Sequence, residues 1–185
     1  DLPLPGTWSA DAGDPAMALL DGGLLQGNYH GVTVADLTDL AHPRVAGRLQ
    51  SPVTIYGNAV AAGGGRGYLA FRSAHVGDLD NLAVLDLSDP ARPTTLSRRA
   101  VRDTPWCLGL SASHLFGGSA GGVQMLAVDG SPALAPLKFV SLPARSRALA
   151  LDDGYVYVAD DDAGLYVLYT GDPDLPEVAY PTAPP

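Results

Sequence analysis

The sequence predicts an all-β protein, an array of about four four-stranded sheets. Three observations carry that prediction. Short apolar runs alternate with a period of two along the 185 residues, and no stretch of a dozen residues shows the 3.6-residue period of an amphipathic helix. Twenty-two Gly and sixteen Pro are spread through the whole chain, as expected of many short strands joined by turns. One phrase also recurs: "NLAVLDLSDPARPTTL", from Asn81 to Leu96, returns as "GLYVLYTGDPDLPEV", from Gly164 to Val178.

Four segments align around that phrase: Ala16 to Gly47, Asn58 to Ser97, Cys107 to Val140 and Ala148 to Tyr180. Gly31, Asn81, Gly122 and Gly164 hold the same place in each and lie 50, 41 and 42 residues apart. The longer first spacing reflects an insertion, "RSAHVGDLD", from Arg72 to Asp80. A period near 42 belongs to a four-stranded propeller blade or to a two-helix repeat. The alternation selects strands.

Each copy reads in one order. A strand of small alternating residues comes first, such as Ala148-Leu149-Ala150-Leu151, followed by a tight turn, such as Asp152-Asp153-Gly154. The second strand is "YVYVAD" in the last copy and "GYLAFR" in the second. A Gly/Asp loop leads to the third strand, "GVTVADL", "NLAVLDL", "GVQMLAV" or "GLYVLYT". A turn follows in which Pro90 or Pro173 supplies a fixed φ. Pro93 or Pro176 then opens a weaker, more polar fourth strand, where a missing N–H is tolerable at an edge. The most apolar strands are the inner ones, so the first strand is expected to line a central axis and the fourth to face solvent.

These units make a single β-propeller-like domain over 1–185, with repeats at about 16–57, 58–105, 106–146 and 147–185 and a strand and linker over 1–15. Leu4 to Trp8 resembles the fourth strand of a blade preceding the first copy. Two readings follow: a compact four-bladed ring, or part of a larger propeller completed by further blades or another subunit. An open blade edge invites strand addition by a partner.

The phrases "GVTVADLTDLAHP" and "NLAVLDLSDPARP" resemble the LVIVD repeat, a β-propeller-type repeat of bacterial and archaeal, often cell-surface, proteins. The resemblance spans roughly residues 16 to 180, with its best copy in the second unit. The third departs from it, with Ala127 in the place of Asp36 and Asp86, and the fourth has Tyr169 there. The resemblance implies architecture and export. It implies no catalytic residues.

Composition excludes several functions. The net charge is −9, and eleven basic residues face twenty acidic ones. A general nucleic-acid or anionic-membrane binder needs a basic surface. The longest apolar runs are far below the ~20 residues of a membrane-spanning helix. With one cysteine, Cys107, the chain forms no internal disulfide, so cysteine usage is silent on compartment. "AAGGGRG", Ala61 to Gly67, runs into the strand-like "YLAFR" and not a helix, so it reads as a hairpin loop and not a phosphate loop.

Candidate sites are few. Asp160, Asp161 and Asp162, near Asp152 and Asp153, are candidate oxygen ligands for Ca²⁺, the one cofactor the sequence leaves open. Turns also favour Asp, and the spacing is not that of an EF-hand. His30, His42, His75 and His114 are scattered, without the close spacing of a metal motif. Cys107 reads as a small core residue. For contact with a protein partner, the insertion offers Arg72, His75, Asp78 and Asp80, and the next fourth strand offers Arg98, Arg99 and Arg102. Such a row of charge also protects an edge from aggregation.

The function expected from these features is a non-enzymatic interaction or scaffold module, outside the cytoplasm (extracellular, periplasmic or at the cell surface), in a larger assembly. The alternative is a propeller hydrolase or lactonase with a divalent cation on the central axis, drawing on residues such as Asn28, Asn58 and Asn81. A sugar-binding propeller would use exposed aromatics beside carboxylates, with Tyr29, Tyr56 and Trp106 as candidates.

Overall fold

A computed structural model describes residues 16–51, 55–161, 164–170 and 178–179 of the chain. The described residues contain strands and turns and no helix. Blade 1 comprises β1 (Met17–Leu20), β2 (Gly23–Asn28), β3 (Gly31–Asp36) and β4 (Arg44–Gln50). Blade 2 comprises β5 (Ile55–Gly63), β6 (Arg66–Ser73), β7 (Leu82–Asp86) and β8 (Thr94–Arg99). Blade 3 comprises β9 (Cys107–Leu110), β10 (His114–Ser119), β11 (Gly122–Ala127) and β12 (Pro136–Ser141). Blade 4 comprises β13 (Ser146–Asp152), β14 (Tyr155–Asp160), β15 (Gly164–Tyr169) and β16 (Val178–Ala179). Every sheet is an antiparallel meander in sequence order, the four-bladed β-propeller type of fold that the repeat predicts.

Repetition extends to single hydrogen bonds. The residue after each third strand donates its N–H to the carbonyl of the first hairpin turn: Leu37 to Gly22 (2.8 Å), Leu87 to Gly65 (2.8 Å), Val128 to Ser113 (2.7 Å) and Thr170 to Gly154 (2.6 Å). Three fourth strands carry one extra residue at the same place. Ala46, Leu96 and Leu137 fall between the partners of Val34/Ala35, Val84/Leu85 and Met125/Leu126. Such bulges add local twist and help blunt an outer edge.

The Asp-rich turn has a shared mechanism. Asp36 Oδ1 accepts from the Thr38 N–H (2.9 Å) and hydroxyl (2.6 Å), and Asp86 Oδ1 accepts from those of Ser88 (2.9 and 2.6 Å). Asp39 and Asp89 then accept from the N–H of Ala41 and Ala91, each at 3.0 Å. Pro93 stands immediately before β8, as the sequence predicts. In blade 3, which lacks the first Asp, Asp129 accepts from Ser131 N–H (2.8 Å) and fully buried Leu134 turns the chain at φ 50°. The fourth copy of the turn, with Pro173 and Pro176, and the segment 1–15 with its expected strand lie outside the described residues.

Packing divides the chain into two compact units, one reaching to Val101 and the other starting at Arg102. Each holds two blades with apolar faces pressed together. In the first unit Leu25, Val32 and Val34 of blade 1 meet Leu69, Phe71 and Leu85 of blade 2. In the second, Phe116, Val123 and Met125 of blade 3 meet Val156, Val158 and Leu168 of blade 4. The glycines that open the third strands of blades 1 and 3 are sterically required. A Cβ on Gly31 would lie 2.0 Å from the Leu49 carbonyl oxygen, and one on Gly122 would lie 2.0 Å from that of Val140, at φ values of 131° and 143°.

Candidate functional site

The break in the repeat is the β6–β7 connection. Blades 1 and 3 cross from second to third strand with two residues, whereas blade 2 uses residues 74–81. Lengthening a loop costs little closure entropy, but its backbone groups need partners. His75 N–H bonds Ser73 Oγ (3.1 Å), Asp78 N–H bonds the His75 carbonyl (3.3 Å) and Asp80 N–H bonds Asp78 Oδ1 (3.1 Å). Asn81 closes the base of the loop. Its amide donates to the Val101 carbonyl (3.1 Å) and accepts from the Val101 N–H (2.7 Å).

Arg98 on β8 ties this loop to the blade. Its Nη2 donates to Asp78 Oδ2 at 2.7 Å, its Nε lies 3.9 Å from Asp80 Oδ2, and its guanidinium stacks 4.9 Å from the centre of the Phe71 ring. The Ser73 hydroxyl and the Arg98 cation hold the Asp78 carboxyl below the usual range. The loop is therefore fixed by a charge-assisted contact at its base. Its tip presents two apolar side chains to solvent, Val76 (97 % exposed) and Leu79 (79 %).

Beside Arg98 lies a cleft of about 70 Å³, lined mainly by Val32, Leu49, Leu69, Phe71 and Leu85 of blades 1 and 2. That is room for one or two water molecules or a small side chain. Small-molecule sites usually need about 300–1,000 Å³. This cleft is below that range and is of a size to admit one apolar side chain.

The remaining expected contact residues divide. Asp78, Asp80 and Arg98 converge, and His75 lies exposed in their loop. Arg72 sits at the end of β6 with its cation 5.9 Å from the Tyr56 ring, which meets Tyr29 edge-on at 5.2 Å. Arg99 pairs in register with Leu82, and its carbonyl accepts from Asn81 N–H (3.0 Å). Arg102 belongs to the second unit, where it stacks 4.1 Å from the Phe139 ring and its N–H bonds Gln124 Oε1 (3.2 Å). Trp106 carries the Arg145 cation at 4.7 Å. The Tyr56 and Trp106 rings are thus each stacked by an arginine.

Other candidates take structural places. Asp153 (φ 40°) and Gly154 (φ 84°) form the β13–β14 hairpin turn, a conformation that Asp-Gly favours. Asp161 is bonded to Arg147, which holds its carboxyl low. Asp160 is buried at the end of β14, and Asp162 lies outside the described residues. Among the described residues no three His, Cys, Asp or Glu side chains are placed to hold a metal ion. His42 pairs with Asp39 (2.8 Å), His30 N–H bonds Asn28 Oδ1 (2.8 Å), and His114 lies against Phe116 with its pKa lowered by burial. The Cys107 thiol, 3.6 Å from the Ser146 carbonyl oxygen, is pushed up to about 11 by burial. "AAGGGRG" forms the β5–β6 hairpin, with Gly64 and Gly65 both at positive φ.

Sequence reasoning missed the anchoring of the loop by Arg98 and the exposed tip formed by Val76 and Leu79. The signal was present: two isolated apolar residues inside an otherwise polar insertion.

Comparison with known proteins agrees with this architecture. The LVIVD repeat matches residues 74–99, which hold β7 and β8 of blade 2, and residues 144–173, which hold β13, β14 and β15 of blade 4. No curated protein matches the chain. Among solved structures it is similar to the computationally designed Ika4 protein (TM-score 0.65, 15% identity, 92% of this chain and 98% of that one). It is similar to the β-propeller domain of Cps50 (Swd1) from Myceliophteria thermophila (TM-score 0.63, 13% identity, 89% and 57%). It is also similar to a chain of a nidogen/laminin complex (TM-score 0.62, 15% identity, 92% and 64%). The chain thus spans nearly all of the designed protein and less than two-thirds of the other two. At these identities the likeness concerns fold alone.

Proposed function

Taking as premise a four-bladed β-propeller-type chain with LVIVD repeats, we propose that the protein is a non-enzymatic interaction module of the cell envelope, an accessory subunit of a larger assembly. The repeat fold supports an interaction or scaffold role in general, and the resemblance to surface proteins supports the compartment. One observation carries the docking site. The 74–81 loop is pinned by Arg98 and Asp78, yet its Val76 and Leu79 face water, and the same Arg98 borders a small apolar cleft. A preorganised loop with apolar tips binds at low ordering cost. The partner it fits is a protein surface with an apolar recess and a projecting apolar side chain.

A photo-crosslinking amino acid in place of Val76 tests this in intact cells. The expected result is one discrete adduct with an envelope protein, lost when Leu79→Asp is added. No adduct, or adducts indifferent to Leu79→Asp, would sink the reading.

A further inference from the structure

The 74–81 loop and the cleft bordered by Arg98 both belong to blades 1 and 2, inside the first compact unit. Arg98 joins them. Its Nη2 holds Asp78 of the loop at 2.7 Å, and its guanidinium stacks on Phe71, which lines the cleft. Leu79 follows Asp78 directly and Val76 lies two residues before it. The apolar tip and the apolar cleft are therefore anchored to one cation.

The tip is a knob without a hole. Blades 1 and 3 make the same crossing in two residues, so the blade does not need this projection. Two aliphatic side chains held in water on a pinned loop gain free energy when an apolar surface covers them. The cleft is a hole without a knob. Val32, Leu49, Leu69, Phe71, Ala83 and Leu85 wall a space of about 70 Å³, which one branched aliphatic side chain would fill. Unfilled, that space forfeits dispersion contacts along its walls.

Charge is arranged in the same sense. Asp80, next to Leu79, has its Oδ2 3.9 Å from Arg98 Nε, beyond hydrogen-bond reach, and its side chain is 38 % exposed. The Arg98 side chain, at the cleft, is 31 % exposed. The knob thus carries a carboxylate with acceptor capacity beside it, and the hole is bordered by a cation that solvent reaches. A partner that fits both presents an apolar recess beside a cation and an apolar projection beside a carboxylate. The patch formed by the loop and the cleft answers that description itself.

We propose that the partner of the 74–81 loop is a second copy of this chain, the Val76–Leu79 tip of each copy seating in the Arg98-bordered cleft of the other. Such a contact is isologous: both copies use the same patch, related by a two-fold axis. The identification rests on the docking role proposed for the loop and names its partner. The patch is small, so the dimer is weak, with a dissociation constant of roughly micromolar or above.

A photo-crosslinking amino acid in place of Val76 in the purified full chain tests it. The expected product is an adduct of twice 19.0 kDa, with the crosslink mapped by mass spectrometry to a residue lining the cleft. Leu79→Asp and Thr95→Trp should each cut its yield at least about 10-fold, the first by charging the tip and the second by filling the cleft from an exposed position on β8. A photo-reactive chain that also carries Thr95→Trp should label a Leu79→Asp chain better than it labels itself, because one tip and one cleft remain intact. Should circular dichroism show that either variant has lost its β structure, Leu79→Ser and Thr95→Phe probe the same two features. A crosslink mapped to the 74–81 loop of the other copy, tip against tip, would overturn the inference. So would the absence of any self-adduct at millimolar concentration. If intact cells then still give an adduct with a different protein, the docking role of the loop stands and only the second copy falls. If cells give none either, both fall.

Discussion

Burial and turn chemistry explain the single residues that look reactive. Cys107 is half-buried, and that desolvation pushes its thiol pKa up to about 11. Since the thiolate is the nucleophile, alkylation at neutral pH is expected to be slow in the native protein and fast in denaturant. A stoichiometric reaction of the folded chain within minutes would contradict that placement. Asp161 is engaged by Arg147, so millimolar Ca²⁺ is expected to leave the melting temperature unchanged. A clear upward shift on adding Ca²⁺ would revive the acidic turn as a cation site.

Sheet geometry dictates which elements tolerate change. Gly31→Ala and Gly122→Ala each force a Cβ into a neighbouring carbonyl at positive φ, and each is expected to cost roughly 3 kcal/mol or more. Chemical denaturation measures this directly. Leu85→Ala, in the first unit's core, should cost about 3 kcal/mol from lost burial and a cavity. Arg98→Ala acts differently. Its ion pair is partly solvated, so global stability should hardly move. Amide exchange across residues 74–81 should accelerate, because the staple between loop and β8 is gone. An unchanged exchange pattern would show that the Asn81 clamp alone orders the loop.

Across the whole molecule the acidic composition sets the pH response. Asp36, Asp39, Asp78, Asp86 and Asp161 all have folded pKa values below the ordinary aspartate value of 3.8, Asp36 at about 2. On acidification the unfolded chain binds protons at these groups first. Their contribution is therefore fully present above about pH 4 and is lost as pH falls toward about 2. Melting temperature against pH should be flat near neutrality and fall steeply in that acid window. A chain whose stability rose on acidification below pH 4 would show that relief of its −9 charge outweighs these bonds.

Much of the architecture was legible in local sequence, because its determinants are local. Alternation placed the strands, Gly64 with Gly65 and Asp153 with Gly154 marked hairpins, and the Asp-x-Thr/Ser pattern carried its own turn bonds. The period of the copies then fixed the number of blades. Cys107, read as a core residue, is half-buried at the start of β9. Long-range packing was not readable. Arg98 looked like one more edge charge until the fold laid it on Phe71 and against Asp78, twenty residues away in sequence. Tyr157, Ala159, Leu165 and Val167 read the same as Tyr68, Ala70, Leu82 and Val84, yet Ala159 and Leu165 are exposed while all four of the second set are buried. The sequence by itself determined the repeating unit, because strand period and turn chemistry act over a few residues. Only the tertiary structure decided which faces are covered, because burial depends on what each blade meets after the chain has folded.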